Sequence, residues 1–478
     1  MVRVRLSRLV AAVALGAAAL VLAGCAGKEE AAGEVPASAS LAPKDAVGFF
    51  TVVSDEGSEH WQNADRMLEL FPDARESLLT EIQSELSAEG LTWEDDVAPA
   101  LGAEVVIVVT NDHQPVVLTQ PDDAAALDAL MQQSEESLAK EEVSGWTAIA
   151  QTAEDLSAYR RALTQGTLED VELFRDAIST LPARSIARGW VDLRAVTQAI
   201  TEATGATEEL EEFGIQDLAA AVLAEEDGVL VSLGVRSSDG LGTTTYEPVL
   251  LDKVPAEAVA VLSFGGTQGA LDRVERSVDL EGISGAIDDL FGVSLVSVLD
   301  ALSGEGVLYL RESDDDVPEI TLVLDPPNAD ETWSTIEGVA RKVADEAGGR
   351  IETGTEGGRQ VNRLVMEDLT VVYARVDSET LFITTGADAI DDFLGEGPKL
   401  TDDDGFQDAA ERVDLGERTN GFAYVDLDGL IRFIESVAGP DTVPTEAREV
   451  LSEIDSVILQ TSADGDLARV SGFVRIPG

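Results

Sequence analysis

The chain has 478 residues, 92 of them acidic and 32 basic, for a formal charge of −60, which excludes binding to nucleic acid through phosphate contacts. With 44% hydrophobic residues and a mean hydropathy of +0.04, it has enough apolar material for sizeable cores, which excludes wholesale disorder. A single Cys excludes an intramolecular disulfide, and two His leave few candidates for a base or metal ligand near neutral pH.

At the N-terminus, Arg3, Arg5 and Arg8 precede an apolar run from Leu9 to Leu22 that ends in Leu22-Ala23-Gly24-Cys25. This is the order of a secretory signal, and the run is shorter than the roughly twenty residues of a membrane span. The four residues ending at Cys25 resemble the bacterial lipobox, whose small residues fit the signal peptidase and whose thiol receives a diacylglyceryl group. An ordinary secreted signal would leave unexplained why the chain's single Cys falls at the position the lipobox needs. Cleavage before Cys25 removes 24 residues and three arginines, leaving 454 residues and a charge of −63. The acyl chains implied at Cys25 would contribute about 0.8 kcal/mol per buried methylene, enough for stable anchoring without a transmembrane helix. Residues 1–24 thus read as a lipoprotein signal peptide. Residues 25–40, which show no apolar periodicity, read as a flexible tether.

The rest of the chain repeats itself. Leu41-Ala-Pro43-Lys-Asp-Ala-Val47 leads into a strand-like run, and so does Lys253-Val-Pro255-Ala-Glu-Ala-Val259. Each is followed by a helical stretch and a Leu-Gly or Leu-Ser-Gly break. Met67, Leu68 and Phe71, then Leu78, Leu79, Ile82 and Leu86, predict a pair of helices in the first copy. Two β-rich runs come next in each copy, Val105 to Thr110 with Val116 to Thr119 against Val307 to Leu310 with Ile320 to Leu324. Ile149 to Tyr159 matches Ile383 to Phe393 at a separation of 234, and the same separation pairs Trp190-Val-Asp192-Leu193 with Tyr424-Val-Asp426-Leu427. Gly234-Val-Arg236 aligns with Phe473-Val-Arg475. The second copy has extra residues around Gly348 to Ala374, including a hairpin whose first strand lacks a counterpart in the first copy.

The expected fold class is α+β: two homologous repeats, 41–237 and 251–478, each a mainly antiparallel sheet packed with helices on one face. Residues 238–250 read as a Gly- and Ser-rich linker.

The order of elements resembles a bacterial family catalogued as domain of unknown function 3352. The residues carrying the resemblance are Pro43-Lys-Asp-Ala-Val47, Trp61, Asp96-Val-Ala-Pro99-Ala-Leu101-Gly102 and Val191-Asp-Leu193. It covers most of the mature chain and implies an envelope location. It brings no activity or catalytic residues with it.

Each candidate for chemistry has a structural alternative. His60, at a helix start, and His113, in a hairpin turn, are possible bases or ligands, but the second copy has no His. Asp192 and Asp426 occupy matching positions, where paired carboxylates for acid–base work compete with helix N-caps. Asp314-Asp-Asp316 and Asp402-Asp-Asp404 are possible calcium clusters that lack the spaced EF-hand loop. Phe264-Gly265-Gly266-Thr-Gln-Gly269 is a conceivable phosphate cradle without the Gly-Lys-Ser/Thr of a P-loop. No catalytic residue, metal or cofactor is expected, and lipidation at Cys25 is the one assigned site.

The expected function is that of a membrane-anchored extracytoplasmic lipoprotein with a non-catalytic binding or scaffolding role in the cell envelope. Its partner would be another envelope protein or a hydrophobic ligand. A carrier or chaperone for lipid or another hydrophobic ligand is the alternative. A carboxylate- or metal-dependent hydrolase is less favoured.

Overall fold

The computed structural model describes residues 35–477 apart from 205–213, 239–243 and 267–292, with shorter breaks within 72–89 and at 113, 135–136, 314–316, 357, 368 and 440–441. The chain divides into two compact units, unit 1 being Met1–Ser238 with Asp466–Gly478 and unit 2 being Asp239–Gly465.

Unit 1 begins with β1 (Gly48–Val53), β2 (Glu104–Val109), β3 (Pro115–Thr119), β4 (Ala139–Val143) and β5 (Trp146–Ala150). It continues with β6 (Ala187–Asp192), β7 (Ile215–Glu225) and β8 (Gly228–Ser237). Their order in the sheet is β4-β5-β3-β2-β1-β6-β7-β8, and every pairing is antiparallel. The helices are α1 (Glu59–Leu70), α2 (Ala124–Gln133), α3 (Ala153–Leu163), α4 (Glu172–Ser179) and α5 (Leu193–Thr204). Of the second helix expected after α1, Leu78, Leu79 and Ile82 lie outside the described residues.

The expectation of helices on one face is corrected in unit 1, where both faces of the sheet are covered. Val106 and Val108 of β2 pack with Leu156 and Tyr159 of α3 and with Phe174, Ala177 and Ile178 of α4. Val105 and Ile107, on the opposite face, pack with Leu127 of α2 and with Val97, Ala100 and Leu101 of a helical turn. The cause is the continuous run Val105-Val-Ile-Val-Val109, since an apolar strand without alternation has two faces to bury. Phe174 anchors the first core by meeting Phe49 and Trp190 edge-on, with ring centroids 5.3 and 5.4 Å apart.

The segment read as tether ends earlier than expected. Ala37–Leu41 form a 3₁₀ turn, Ala39 and Leu41 join the first core, and the buried Tyr159 hydroxyl donates to the Leu41 carbonyl. A turn this short shows no helical period in the sequence.

Unit 2 contains β9 (Ala258–Phe264), β10 (Glu305–Arg311), β11 (Glu319–Asp325), β12 (Arg350–Glu356) and β13 (Arg359–Val365). It also contains β14 (Thr370–Arg375), β15 (Leu381–Thr384), β16 (Gly421–Asp426) and β17 (Ser456–Asp464). The order is β12-β13-β14-β15-β11-β10-β9-β16-β17, again antiparallel throughout. Its helices include α6 (Ala329–Ala347), α7 (Asp404–Arg412) and α8 (Leu427–Ala438). Ala340 and Ala344 of α6 pack on Leu364 and Tyr373, and Phe406 of α7 meets Tyr424 at 5.1 Å.

Two further boundaries, and the place of the additional hairpin, differ from the sequence reading. The last strand, β18 (Leu467–Arg475), pairs with β8 and belongs to unit 1, although it falls in the expected second repeat. The linker read as 238–250 is ordered in its second part. Tyr246 exchanges backbone hydrogen bonds of 2.8 and 2.9 Å with Thr419, and Leu250 is buried. The hairpin β14–β15 has a full counterpart in β4–β5, at the same place in the order of unit 1. The additional pair is β12–β13. β4 (Ala-Lys-Glu-Glu-Val) is a polar edge strand, and charges that protect an edge also erase its β pattern.

Candidate functional site

Cys25, His113, Thr267, Gln268 and Gly269, and Asp314 to Asp316 lie outside the described residues. The other singled-out residues are engaged locally. His60 stands in the first turn of α1, where its Nδ1 lies 2.9 Å from the Ala224 carbonyl of β7. Asn63, one turn on, donates to the same oxygen at 3.1 Å. The imidazole therefore helps to seat α1 on the sheet.

Asp192 ends β6, and its Oδ1 accepts the backbone N–H groups of Arg194 and Ala195 at 3.0 and 3.2 Å. Asp426 ends β16, and its Oδ1 accepts from Gly429 N at 3.0 Å. A strand that ends in Asp thereby supplies the acceptor that the next helix needs for its free N–H groups. Replacing either Asp by Asn is expected to leave stability nearly unchanged, because Asn caps equally well. Replacement by Ala should cost about 1 kcal/mol. Urea unfolding measures both, and a loss with Asn as large as with Ala would contradict the cap.

In the cluster Asp402 to Asp404, Asp402 accepts from Lys399 N at 3.2 Å and Asp403 caps α7 through Phe406 N at 2.8 Å. Gly265 and Gly266 are small because another segment approaches them closely. A Cβ on Gly265 would lie 2.5 Å from the Tyr246 ring, and one on Gly266 would lie 2.1 Å from the Thr244 carbonyl.

With these positions accounted for, similarity to known proteins adds little. No family model matches the chain, and neither does any curated protein. Among solved structures, crystal form IV of TP0453 is similar at 12% identity and a TM-score of 0.25, covering 47% of this chain and 92% of its own. Form III gives 12% identity and 0.24, with coverage of 47% and 93%. Form I gives 10% and 0.24, with coverage of 48% and 92%. Likeness at this level transfers neither fold nor role.

Three groups of charges inside the units had no signal in the sequence. In unit 1, Asp217 is fully buried, and Arg236 reaches it from the neighbouring strand at 3.2 Å. The same guanidinium bonds Asp466 at 3.0 Å and faces Asp176 at 3.8 Å. Burial raises the Asp217 carboxyl, and Arg236 opposes that shift. In unit 2, Arg311 pairs with the buried Glu319 at 2.7 Å and with Asp392 at 2.5 Å.

The third group surrounds Glu305, the first residue of β10, which accepts from Leu250 N at 2.6 Å. Burial pushes its carboxyl up to about 7, with Asp325 and Asp252 adding to the rise and Leu250 N–H and Lys253 opposing it. Near it, a polar cleft of about 520 Å³ is lined by Gly304, Asp325, Asn328, Asp330 and Glu379, among others. Asp330 is already paired with Arg375 at 2.8 Å.

Because the folded carboxyl of Glu305 titrates above its ordinary 4.5, the folded state binds the proton more tightly than the unfolded chain. The stability this contributes is complete below the ordinary value and is lost as pH rises through about 7. Glu305→Gln keeps an acceptor for Leu250 N and removes the charge. After discounting for the solvent that reaches this half-buried group, the substitution should stabilise unit 2 by about 1 kcal/mol at pH 8 and by almost nothing at pH 5. Thermal melts at the two pH values measure this, and an equal shift at both would refute it.

Proposed function

We propose that the chain is a lipoprotein anchored through Cys25 to the outer side of the cell membrane, with a non-catalytic binding or scaffolding role in the envelope. On this reading it also belongs with the domain-of-unknown-function 3352 proteins, and its two units are copies of one ancestral unit. The observation that carries the non-catalytic reading is the engagement of Asp192 and Asp426. They are the matched carboxylates that the sequence offered for acid–base work, and each is spent on the start of a helix. Anchoring is supported by the lipobox-like Leu22-Ala-Gly-Cys25. No helix among the described residues is long and apolar enough to cross a membrane. Duplication is supported by strand order, since β5-β3-β2-β1-β6-β7 of unit 1 corresponds to β15-β11-β10-β9-β16-β17 of unit 2.

A second reading, a carrier for lipid or another hydrophobic molecule, is favoured by one face of the unit 2 sheet. Across it runs the row Leu459, Ala423, Leu262, Leu308, Leu322 and Ile383. Ile383 packs against the cluster under α6, whereas Leu262 and Leu459 are 44% and 42% exposed. In unit 1 the places of Leu308, Leu322 and Ile383 are taken by Ile107, Val117 and Ile149, which are buried, and those of Leu262 and Leu459 by Phe50 and Ala220, which are half-buried.

Fractionation tests the anchor. The wild-type chain should sediment with membranes and enter the detergent phase, and Cys25→Ala should release it to the aqueous phase. A variant that stays with the membrane would overturn the anchor. Mass spectrometry of what copurifies with the lipidated protein separates the two readings, a protein partner supporting the first and bound lipid the second.

A further inference from the structure

We propose that the outer edge of β12 pairs with the same edge of a second copy of this chain, as an antiparallel strand addition centred on Thr353. This self-association goes beyond the binding role above and does not depend on it. β12 pairs with β13 over seven residues without a bulge, and no other described strand pairs with it. Arg350 to Thr353 and Thr355 are exposed, and Gly354 and Glu356 are half-buried. Such an edge presents a row of backbone N–H and C=O groups that another strand can take up. Arg350–Glu356 has no Pro, Lys or bulge to blunt the edge; the charges it does carry, Arg350, Glu352 and Glu356, are of both signs and so need not repel a second copy of the same strand.

The side chains of β12 suit pairing with itself. Alternation puts Arg350, Glu352, Gly354 and Glu356 on one face and Ile351, Thr353 and Thr355 on the other. A two-fold axis through Thr353 sets Arg350 of each copy opposite Glu356 of the other, which places an opposite-charge pair at both ends; Glu356 already pairs with Arg363 of its own β13, so its carboxylate would be shared between two guanidinium groups. Glu352 then falls opposite Gly354, which has no side chain of its own and over which the Arg363 guanidinium of β13 lies, a cation on the face that the incoming carboxylate would meet. On the second face Ile351 meets Thr355 and Thr353 meets itself, pairs of β-branched residues that fit cross-strand packing. Moving the axis by one residue, to Glu352 or to Gly354, would set Glu352 opposite Glu352 or opposite Glu356 and lose both charge pairs. Arg350 now bonds the exposed Glu352 at 2.6 Å, so its guanidinium is at the surface and can take a second carboxylate. In a chain with a charge of −60, an edge with opposite charges at its two ends is an unusually favourable place for two copies to meet. The hairpin β12–β13 is also the part of unit 2 outside the strand order shared with unit 1, so the site exists once per chain.

Cysteine pairing in the membrane-bound full chain tests the register, because Cys25 is the chain's single cysteine and the unsubstituted protein serves as background. Thr353→Cys should give a disulfide-linked dimer under mild oxidation. Ile351→Cys and Thr355→Cys should each stay monomeric alone and link when coexpressed. Arg350→Glu in the Thr353→Cys background should weaken association about ten-fold by setting like charges opposite each other at both ends. Adding Glu356→Arg should restore it. Circular dichroism melts of each variant confirm that the fold is kept. If Thr353→Cys fails to link while folded, or Ile351→Cys and Thr355→Cys link equally well alone, the proposed pairing is wrong. Loss of linking in Arg350→Glu without recovery in the double variant would also overturn it.

Discussion

Gly102→Ala is expected to destabilise unit 1 by more than about 3 kcal/mol, a fall of roughly 6–12 °C in its melting temperature. Gly102 closes the helical turn Ala98–Leu101 with φ 67° and ψ −153°, a region essentially reserved for glycine. An added Cβ would stand 1.9 Å from the Gln120 carbonyl oxygen. That atom is backbone, held next to β3, and cannot swing away as a side chain would. The surroundings are also tied down. The Ser54 hydroxyl donates to the Gly102 carbonyl at 2.7 Å, and the Thr119 hydroxyl donates to that of Leu101. Gly145→Ala is the control, because Gly145 has φ +83° but open space around its Cβ position, so that only a backbone cost of about 1 kcal/mol applies. Calorimetry of the two variants decides, and equal losses would refute the steric argument. A Cβ on Gly304 would stand 2.1 Å from the Asp325 carbonyl oxygen, so Gly304→Ala should lower the melting of unit 2 through the clash alone.

These two glycines mark how far the sequence was legible. The Leu-Gly and Leu-Ser-Gly breaks were visible as punctuation, and the β-branched runs that follow them became β2–β3 and β10–β11, because valine and isoleucine runs of that length have few other uses. The helix starts at Asp192 and Asp426 were legible for a similar reason, since an acidic residue between a strand and an apolar period is a local signal for a local hydrogen bond. Features set by distant residues were not legible. Nothing around Gly265 announces that the Tyr246 ring lies where its Cβ would be. Nothing in the polar segment Ala139–Val143 marks it as the edge of a sheet. The second layer of helices over unit 1 was missed because a continuous apolar strand fits either a covered sheet or a buried helix until its neighbours are known.

The buried charge at Asp217 is the clearest case of a feature that the fold creates and the sequence conceals, and it carries the other large expected effect. Asp217 and Arg236 are direct cross-strand neighbours on β7 and β8. Asp217 is 0% exposed, the Arg236 side chain is 9% exposed, and the remaining partners of the guanidinium, Asp466 and Asp176, are about half exposed. Arg236→Met would leave a carboxylate sealed in the sheet without a cation, which should cost about 3–5 kcal/mol. Asp217→Asn should cost less, because Arg236 keeps Asp466, the residue that leads into β18 and whose carbonyl accepts from Ser237 N at 2.8 Å. Replacing both residues, Arg236→Met with Asp217→Leu, should recover most of the loss, since an apolar pair of similar volume removes the desolvation cost of both charges. The pH dependence has a definite sign. Without Arg236 the Asp217 carboxyl is raised further by burial, so the folded variant binds a proton more tightly than the unfolded chain and loses stability as pH increases. The penalty of Arg236→Met should therefore be larger at pH 8 than at pH 5. Urea unfolding of the four proteins at the two pH values measures it, and a double variant no more stable than Arg236→Met alone would mean that packing at this site, and not the orphaned charge, sets the cost.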